Sequence, residues 1–416
     1  MSGTLVYLST CATDAAGVPG AFLYQELPWL TAHFDRVIVC GHAGVGVVTG
    51  KGETPIRLTR PFCGRLRAML TAPLSRDVWR EIAHLKRDGK LNAVNAAKVM
   101  MFAVRGRTLA NWAKPYLHAG QAATLYAFWM SYDAYAAALL REKHPMAHAV
   151  ARGHAFDIDI ARNPMNPYLM KEKIGRVLDG VYPISRDAMA RLLACAPFPE
   201  GKVRVLPMGS AGEQILKRFD PPVYGDGVFR VVSCANMLPI KQIPLLIDAL
   251  ARWRGGRLSW LHIGGGEQEA AVRAYAAQML GGRDDIHVEI TGAVPAQQVQ
   301  AIFAERPFDV FVNTSRSEGV PVSIMEAMRA GVPIIAPDVG GIAELVDAQI
   351  GFLYAPGGGV QAVRDALAAM AALPLAQAQA LREAAQLRWQ ERCQSGVLLA
   401  KLFAGALAER VGELPG

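Results

Sequence analysis

The sequence predicts an α/β protein built from two doubly wound domains. A chain of 416 residues is too long for one ordinary hydrophobic core, which favours two domains of about two hundred residues each. Hydrophobic residues make up 52% and charged residues 19% of the chain, a balance typical of globular proteins with large buried sheets. Short apolar runs alternate with helical stretches in both halves, and this alternation predicts parallel sheets covered on both faces.

The first domain is expected to occupy residues 1–205. Its clearest strands are LVYLS (5–9), RVIVCG (36–41) and HAVARGH (148–154), and its clearest helix is YDAYAAALLREKH (132–144). The alternation lapses over residues 206–227, where Gly, Pro and charged residues occur without apolar periodicity. Such a composition indicates a linker.

The second domain is expected to run from 206 to 385, because the alternation resumes there. The sequence predicts strands at 229–235, 258–264, 286–292, 309–315 and 332–337, with helices at 241–253 and 267–280. Residues 361–412 are rich in Ala and Leu and are predicted to be helical. In open α/β sheets ligands bind at the carboxyl ends of the strands, so the loops that follow strands are the candidate sites.

Composition excludes several classes of protein. The six cysteines are scattered without a CxxC pair, which argues for reduced thiols in the cytosol and against a disulfide framework or structural zinc. The N-terminus MSGTLVYLST lacks the basic region of a signal peptide, and no apolar run is long enough to cross a bilayer. A net charge of +8 suits anionic ligands or an anionic membrane surface. No nucleic-acid recognition motif is found.

The stretch SRSEGVPVSIMEAM contains two glutamates, Glu318 and Glu326, on either side of a Gly-Val-Pro turn. Pro321 suits a helix start, so the N–H groups of Val322 to Ile324 are expected to form an anion site, for which phosphate is the favoured anion. Ser323 would add a hydroxyl donor. Ionised carboxylates only accept hydrogen bonds, and sugar or ribose hydroxyls supply donors in pairs. An isolated pair of glutamates is more often a surface feature, but the surrounding Gly, Pro and Ser favour a ligand site.

Two further loops of the second half could bind phosphate. Lys241 follows a strand and is predicted to open a helix, where it could act as a point charge against a diphosphate. A solvated lysine at a helix end is an equally good interpretation. The loop HIGGGEQE permits close approach of a base or phosphate at Gly264 and Gly265, although a tight turn explains it equally well. It fails the dinucleotide fingerprint, because Glu269 occupies the third glycine position, and this disfavours an oxidoreductase.

His154 in ARGHAFDID follows a strand of the first half and could face the ligand cleft, although such a histidine is more often structural. Asp157 and Asp159 in the same stretch are a carboxylate pair of the kind that chelates a divalent metal with a nucleotide diphosphate. They raise the alternative of a metal-dependent, single-domain sugar transferase. Since Lys241 and a helix start already provide for a diphosphate, the pair is interpreted as a coincidence, and no metal is expected.

The stretch SEGVPVSIMEAMRAGVPIIAPDVGGIAELV resembles the donor-binding signature of retaining GT-B glycosyltransferases of family four. IKQIPLLIDAL, HIGGGEQE, TGAVPAQQVQAIF and VYPIS extend the resemblance over nearly the whole C-terminal half. LYAFWMSYDAYAAALL with ARGHAFDID is similar, more loosely, to a subgroup that builds bacterial exopolysaccharide or other surface glycans. The resemblance implies two Rossmann-like domains facing across a cleft, with residues 386–416 packing back on the first domain. It also implies hexose transfer from a nucleotide-diphosphate sugar to a glycan or lipid-linked acceptor, with no cofactor.

The resemblance also implies roles for individual residues. Glu318 would contact donor sugar hydroxyls near the reacting carbon, Glu326 would hold the ribose hydroxyls and Lys241 the diphosphate, while His154 would line the acceptor side. Glu318, Lys241 and His154 are therefore the predicted catalytic residues. The predicted donor-binding set also includes Gly319, Val320, Pro321, Val322, Ser323, Gly264 and Gly265, with Gly292 and Val294 near the base. Asn236, included in that set, stands where the family usually has a second phosphate-binding arginine, a part that Arg316 could take.

Several alternatives stay open on the sequence alone. A nucleotide-sugar epimerase or hydrolase would need no acceptor sugar, and a non-catalytic nucleotide-sugar-binding protein would explain Asn236. Residues 76–117 mix Lys and Arg with Trp, Met and Phe and could rest on an anionic membrane. Ordinary domain helices with basic outer faces are the slightly favoured interpretation. The expected location is the cytoplasm, with the inner face of the plasma membrane as the alternative.

Overall fold

The computed structural model describes residues 3–49, 55–118, 120–212, 214–216 and 226–411, which divide into two compact units. The first unit runs to Pro207 and takes up the chain again at Ser395, whereas the second is Met208–Gln394. The sequence boundaries were 205/206 and 385/386. The second observed division lies nine residues later because a helix continues through residues 386–392. Of the predicted linker 206–227, residues 213 and 217–225 lie outside the described part.

The first unit contains a six-stranded sheet of order β3-β2-β1-β4-β5-β6. All neighbouring pairs are parallel except β2 and β3, which form an antiparallel edge. Its strands are β1 (Thr4–Leu8), β2 (Arg36–Gly41), β3 (Gly44–Val48), β4 (Ala123–Ala127), β5 (Ala147–Gly153) and β6 (Gly180–Pro183). Its helices are α1 (Ala21–His33), α2 (Phe62–Thr71), α3 (Arg76–Arg87), α4 (Ala93–Ala113), α5 (Tyr132–Arg141), α6 (Lys171–Val177) and α7 (Arg186–Cys195).

The central strands of this sheet read as apolar runs because both of their faces are covered. Leu5, Val6 and Tyr7 of β1 have no exposed surface, and every residue of β4 is buried. Continuous burial of this kind is expected of a parallel sheet with helices on both sides. The strands thus hold the loops at their carboxyl ends in fixed positions.

The second unit contains a six-stranded, fully parallel sheet of order β12-β11-β10-β7-β8-β9. Its strands are β7 (Val228–Cys234), β8 (Arg257–Ile263), β9 (Ile286–Ile290), β10 (Val310–Val312), β11 (Ile334–Pro337) and β12 (Gly351–Tyr354). Its helices are α8 (Ile243–Ala251), α9 (Glu269–Leu280), α10 (Ala296–Glu305), α11 (Val322–Arg329), α12 (Gly359–Ala371) and α13 (Leu375–Arg392). The last helix of the chain, α14 (Ser395–Val411), belongs to the first unit.

The strand order of the second unit places two loops side by side. From β7 the chain first builds outward through β8 and β9, and then returns to place β10, β11 and β12 on the other side of β7. The carboxyl ends of β7 and β10 are therefore neighbours at the point where the winding reverses. Such a switch point is where open α/β sheets bind ligands.

The C-terminal helical stretch differs from the single segment expected over 361–412. It consists of α12, α13 and α14, and Pro374 is the residue immediately before α13. Helix α14 packs on α1, where the rings of Phe403 and Trp29 are stacked with their centroids 5.8 Å apart. Among the described residues, no helix is long and apolar enough to cross a membrane.

Candidate functional site

Lys241 and Glu318, which the sequence placed in separate motifs, form an ion pair. The Lys241 Nζ donates to Glu318 Oε1 over 2.7 Å, and the two side chains are 23% and 9% exposed. Asn313 Nδ2 donates to the same carboxylate oxygen at 3.3 Å. Because Lys241 lies on the loop after β7 and the other two residues follow β10, the contact depends on the adjacency of those strands. Glu318 thus has the donors that a mostly buried carboxylate requires.

The Lys241 loop is tied to the loop after β10 through its backbone. Thr314 Oγ1 donates to the Lys241 carbonyl at 2.9 Å, and the Arg316 N–H donates to the Ile240 carbonyl at 2.9 Å. The prediction that Lys241 opens a helix is wrong: Lys241 ends a 3₁₀ turn, Pro239–Lys241, and α8 begins at Ile243. Gln242 between them has a φ of 49°, which is uncommon for a residue other than glycine. That left-handed residue turns the chain between the 3₁₀ turn and α8.

The glycine pair at 340–341 supports Glu318 from the other side. Gly340 has a φ of +58°, and a Cβ on it would lie 1.9 Å from the Glu318 carbonyl oxygen. The Gly341 N–H donates to the Gly319 carbonyl at 2.9 Å. Only glycine permits this approach of two backbones, which explains the Gly-Gly turn after β11.

Helix α11 presents the second glutamate. Glu326 is 8% exposed. Its carboxylate is close enough to Cys234, the last residue of β7, to affect that thiol. Burial is the main cause that raises the pKa of Cys234, Glu326 raises it further, and Lys241 lowers it. Pro321 is the residue before α11. One predicted anion donor is engaged within the helix, since the Ile324 N–H donates to the Pro321 carbonyl at 3.2 Å. The N–H groups expected to bind an anion at the start of α11 are therefore those of Val322 and Ser323.

The glycine-rich loop after β8 brings three loops of the second unit together. A Cβ on Gly264 would lie 2.1 Å from the Ala235 carbonyl oxygen, and one on Gly265 would lie 2.6 Å from the Ala293 nitrogen. The Met237 N–H donates to the Gly265 carbonyl at 2.8 Å, and Gly264 forms a backbone bridge with Gly292. The glycines thus permit loop-to-loop contact, which accounts for them without a bound phosphate.

The remaining predicted donor-binding residues lie around these loops. Asn236 is exposed on the loop after β7, and its carbonyl accepts a hydrogen bond from Leu238 N–H at 2.8 Å. Val320 is buried, whereas Gly319 and Val294 are half-buried. Arg316, the predicted replacement cation, is exposed. The switch point thus carries Lys241 as the cation that contacts Glu318, with Arg316 on the same loop as Glu318.

In the first unit, His154 lies directly after β5 and is 6% exposed. Its ring packs on Phe128 and Trp129, with centroid distances of 4.6 and 4.4 Å. The Nδ1 lies 3.6 Å from Asp157 Oδ2, and Nε2 has no hydrogen-bond partner among the described residues. Burial lowers the pKa of His154, although Asp157 opposes the shift. The imidazole is therefore held largely neutral and can donate or accept a hydrogen bond.

Asp157 and Asp159 have structural partners. The Asp157 carboxylate accepts hydrogen bonds from the backbone N–H groups of Met130 and His154 at 2.8 and 3.0 Å. Asp159 accepts from Arg191 Nη1 at 2.7 Å. Burial raises the pKa of Asp157, but His154, Lys171 and the Met130 N–H outweigh it, so that its pKa lies below the usual value. These contacts join the segments that follow β4 and β5 to each other and to α7.

Metal-binding clusters and cavities are two further kinds of ligand site. Among the described residues, no group of three or more His, Cys, Asp and Glu side chains could hold a metal ion. A cavity of about 340 Å³ lies along α9 and β9, between Arg273 and Arg283. It includes none of the predicted site residues and follows the edge strand of the sheet instead of the carboxyl ends of β7 and β10.

Comparison with known proteins places the chain in a family. Residues 228–372 match the model of the glycosyl transferases group 1. The chain is 30% identical over 275 residues to the GDP-mannose-dependent alpha-(1-6)-phosphatidylinositol monomannoside mannosyltransferase of Mycolicibacterium smegmatis, covering 62% of this chain and 70% of that protein. The chain belongs to the group 1 glycosyltransferases. The family membership inferred from the glutamate motif is thereby confirmed.

This chain matches other relatives over shorter stretches. It is 29% identical over 189 residues to the amylovoran biosynthesis glycosyltransferase AmsK of Erwinia amylovora, covering 44% of each chain. It is 30% identical over 231 residues to the putative colanic acid biosynthesis glycosyltransferase WcaL of Escherichia coli, covering 53% of this chain and 54% of that one. The chain thus spans about half the length of these curated relatives.

Solved structures resemble this chain over nearly its whole length. The Anabaena protein HepE, crystallised in complex with UDP and glucose, has a TM-score of 0.64 at 18% identity and is covered to 99%, as is this chain. Sucrose-phosphate synthase from Thermosynechococcus elongatus has a TM-score of 0.67 at 18% identity, covering 98% of this chain and all of that one. At such identities the likeness shows the fold alone. The expected GT-B fold class with two Rossmann-like domains is confirmed.

The structure adds residues to the candidate site that the sequence did not single out. Asn313 and Thr314 follow β10 directly. Asn313 Nδ2 donates to Glu318 of the same loop, and Thr314 Oγ1 donates to the Lys241 carbonyl on the loop after β7. The signal that could have found them is a pair of polar residues after an apolar strand, in VFVNTS. By itself this pair does not predict a site, because Asn and Thr at strand ends are common in turns without a ligand.

The carboxyl edge of the first sheet holds a second group of polar residues that the sequence did not single out. Asp133 is fully buried and accepts a hydrogen bond from the Thr10 N–H at 3.3 Å, and its pKa is raised to about 7 by burial. Tyr132 Oη and His42 Nε2 share a hydrogen bond of 2.6 Å. These residues follow β1, β2 and β4, so the strand order brings them to the edge where His154 also lies.

Proposed function

We propose that this chain is a retaining glycosyltransferase that moves a hexose from a nucleotide-diphosphate sugar to an acceptor hydroxyl. The proposed setting is the assembly of a bacterial exopolysaccharide or surface glycan. The observation that carries the proposal is the Lys241–Glu318 pair beside the start of α11 at the switch point of the second unit. The names of AmsK and WcaL, which refer to amylovoran and colanic acid, support the polysaccharide setting.

Lys241 is proposed to stabilise the leaving diphosphate. Breaking the bond between sugar and nucleotide places negative charge on the diphosphate, and a cation already held in position stabilises that charge without reorganising. An ammonium group has three donors, and the bond to Glu318 Oε1 uses one of them. The other two can face the phosphates. The N–H groups of Val322 and Ser323 add the favourable end of the helix dipole.

The two glutamates are proposed to bind opposite ends of the donor. Glu318 accepts hydrogen bonds from the sugar hydroxyls near the reacting carbon, where Lys241 and Asn313 keep its carboxylate oriented. Glu326 accepts from the ribose hydroxyls. Since the oxocarbenium-like sugar is electron-poor, an ionised Glu318 nearby also stabilises it electrostatically. Gly292 and Val294 would adjoin the base.

His154 is proposed to face the acceptor. Its lowered pKa keeps the ring neutral near pH 7, and a neutral Nε2 can accept a proton or hydrogen bond from an acceptor hydroxyl. We further propose that transfer needs no metal, because Lys241 and α11 provide for the diphosphate. Transfer that persists in EDTA is expected, whereas strict dependence on added manganese would contradict this part. The proposed location is cytoplasmic, with contact to an anionic membrane that presents a lipid-linked acceptor.

A donor screen tests the proposal. UDP-, GDP- and ADP-sugars are added to the full chain, and the rise in melting temperature identifies the donor that binds. Release of the nucleotide diphosphate is then followed with and without candidate acceptors, and the anomeric configuration of the product is determined by NMR. Acceptor-dependent release with retention supports the proposal. Turnover without any acceptor would favour an epimerase or hydrolase, and binding without turnover would favour a non-catalytic role, for which the exposed Asn236 is the supporting feature.

A further inference from the structure

Helix α2 of the first unit turns its large apolar side chains outward. Ala68 is the buried residue of this helix, whereas Phe62 and Leu70 are 76% and 66% exposed. Leu66 and Met69 are also exposed. At 3.6 residues per turn these four side chains fall within an arc of about 100°. The usual arrangement of a surface helix, apolar inside and polar outside, is therefore reversed.

The opposite side of α2 is fastened to α4 by small residues. A Cβ on Gly64 would lie 2.5 Å from the Trp112 ring, and Asn111 Nδ2 donates to the Gly64 carbonyl at 2.9 Å. Trp112 Nε1 donates to the Pro61 carbonyl at 2.9 Å. Gly64 thus allows α2 to lie flat against α4. The face of α2 with small residues therefore packs against α4, and the face with large apolar side chains is exposed to solvent.

The apolar face continues beyond the end of α2. Leu74, in the turn between α2 and α3, is 81% exposed, and Trp79 on α3 is 59% exposed. The Trp79 indole Nε1 donates to the Pro73 carbonyl at 2.8 Å, so the ring lies next to that turn. Exposed apolar side chains grouped in this way indicate an interaction site, and Trp with an apolar body and a polar N–H suits a membrane interface.

The charged residues of this segment are nearly all positive. Residues 60–80 contain five arginines, no lysine and a single acidic residue, Asp77. All five arginines are exposed: Arg60, Arg65, Arg67, Arg76 and Arg80. On the helix, Arg65 and Arg67 fall on either side of the apolar arc. Asp77 is occupied within the unit, because its Oδ2 accepts hydrogen bonds from Tyr135 Oη and Lys173 Nζ at 3.0 and 2.8 Å.

We propose that residues 60–80 form a docking surface for a bilayer of anionic phospholipid. The apolar side chains would enter the boundary between headgroups and acyl chains while the flanking arginines contact lipid phosphates. A second copy of this chain fits less well, since pairing two such faces would bring ten arginines together. This surface lies mostly N-terminal to the region 76–117, which composition raised as a candidate membrane face and for which ordinary domain helices were the slightly favoured interpretation. This surface would supply the membrane contact of the proposed function, on which the proposal rests, and its binding to a bilayer would not depend on the sugar chemistry.

Vesicle sedimentation of the full chain tests the proposal. Phosphatidylcholine vesicles with and without phosphatidylglycerol are compared at moderate salt, without any sugar donor. Binding is expected only with phosphatidylglycerol. The triple variant Phe62→Ser/Leu66→Ser/Leu70→Ser should lower the partition coefficient at least tenfold, and Arg65→Gln/Arg67→Gln should lower it severalfold and weaken its salt dependence. All five side chains are exposed, so the melting temperature should stay within a few degrees of that of the parent protein.

A matched control separates this face from general surface hydrophobicity. Leu375 and Leu387 of the second unit are 51% and 55% exposed, and Leu375→Ser/Leu387→Ser should bind vesicles as the parent does. Equal binding by the triple variant and the parent, or no binding of the parent to anionic vesicles, would overturn the proposal. So would a parent dimer in sedimentation velocity that the triple variant abolishes, because the face would then join two copies. Donor-induced thermal shifts, measured separately, report on the sugar site alone.

Discussion

Lys241 Nζ and Glu318 Oε1 are 2.7 Å apart although 77 residues separate them in the chain. The pair joins the loops after β7 and β10, and Asn313 completes the contacts of the carboxylate. The Glu318 side chain is 9% exposed, so removing the lysine would leave a mostly buried carboxylate with less compensation. The same ammonium is thus expected both to orient Glu318 and to bind the diphosphate, and the two effects can be separated by mutation.

Lys241→Ala should lower transfer by about ten- to hundredfold, since charge-assisted contacts are worth roughly 1.5–3 kcal/mol. The check is kcat/KM with the donor identified by the thermal screen. Arg364→Ala is the matched control, because that arginine pairs with its neighbour Asp365 on the surface of α12. Combining Lys241→Ala with Glu318→Gln should cost less than the sum of the single effects, as expected for groups in contact. An unchanged rate in Lys241→Ala would remove the lysine from the site.

The two glutamates should differ in which kinetic constant they control. Glu318→Gln removes the negative charge near the reacting carbon and should mainly depress kcat. Glu326→Ala removes the acceptor for the ribose hydroxyls and should mainly raise the Kd for the nucleotide. Calorimetry gives the affinity and steady-state kinetics the turnover. If Glu318→Gln weakened nucleotide binding while Glu326→Ala slowed turnover at saturation, the two roles would have to be exchanged.

Gly340→Ala should damage the site, whereas Gly357→Ala should not. Both glycines have positive φ, +58° and +81°, so both substitutions carry a similar backbone strain of about 1 kcal/mol. They differ in space: a Cβ on Gly340 would lie 1.9 Å from the Glu318 carbonyl oxygen, whereas Gly357 has nothing within 4 Å. Gly340→Ala is expected to lower kcat/KM by at least tenfold and Gly357→Ala by less than twofold. Similar kinetics for the two variants would show that the Gly340 turn does not hold Glu318.

His262 should make the second unit less stable in acid. It is fully buried, with Nδ1 2.8 Å from Ser233 Oγ, and burial lowers its pKa to about 4 from an ordinary value of 6.5. Between those two pH values the unfolded chain binds a proton that the folded chain excludes. The free energy of unfolding therefore falls as the pH drops from 6.5 towards 4, by about 3 kcal/mol in all. Above pH 6.5 this contribution does not change.

The comparison of wild type with His262→Gln measures this effect. The variant loses stability at every pH because its hydrogen bonds differ, so the quantity to compare is the change between pH 7.5 and pH 5 in urea unfolding. Wild type should lose more stability than the variant over that interval. Parallel losses in the two proteins would mean that His262 does not titrate as its burial implies, and the carboxylates would account for the acid sensitivity.

The glutamate motif was predictable because its information is local. Glu318, Pro321, Ser323 and Glu326 lie within nine consecutive residues, and a strand, a turn and a helix start follow from periodicity and turn chemistry over that distance. The 3₁₀ turn at Pro239–Lys241 was not predictable in the same way. An apolar pattern continues through it into α8, and periodicity does not distinguish a tight turn from the first turn of a helix.

By itself the sequence determined the two α/β domains, the family and the residue types at the donor site, because strand–helix alternation and the glutamate motif are properties of adjacent residues. The tertiary structure decided which of those residues meet. Lys241 reaches Glu318 because β10 pairs with β7 and not with β9, which precedes it in the chain. Asn313 and Gly340 acquire their roles from the same strand order. The tertiary structure also showed that Gly264 and Gly265 allow close contacts between loops. Strand order depends on packing of helices and strands distant in the chain, and no local pattern records it.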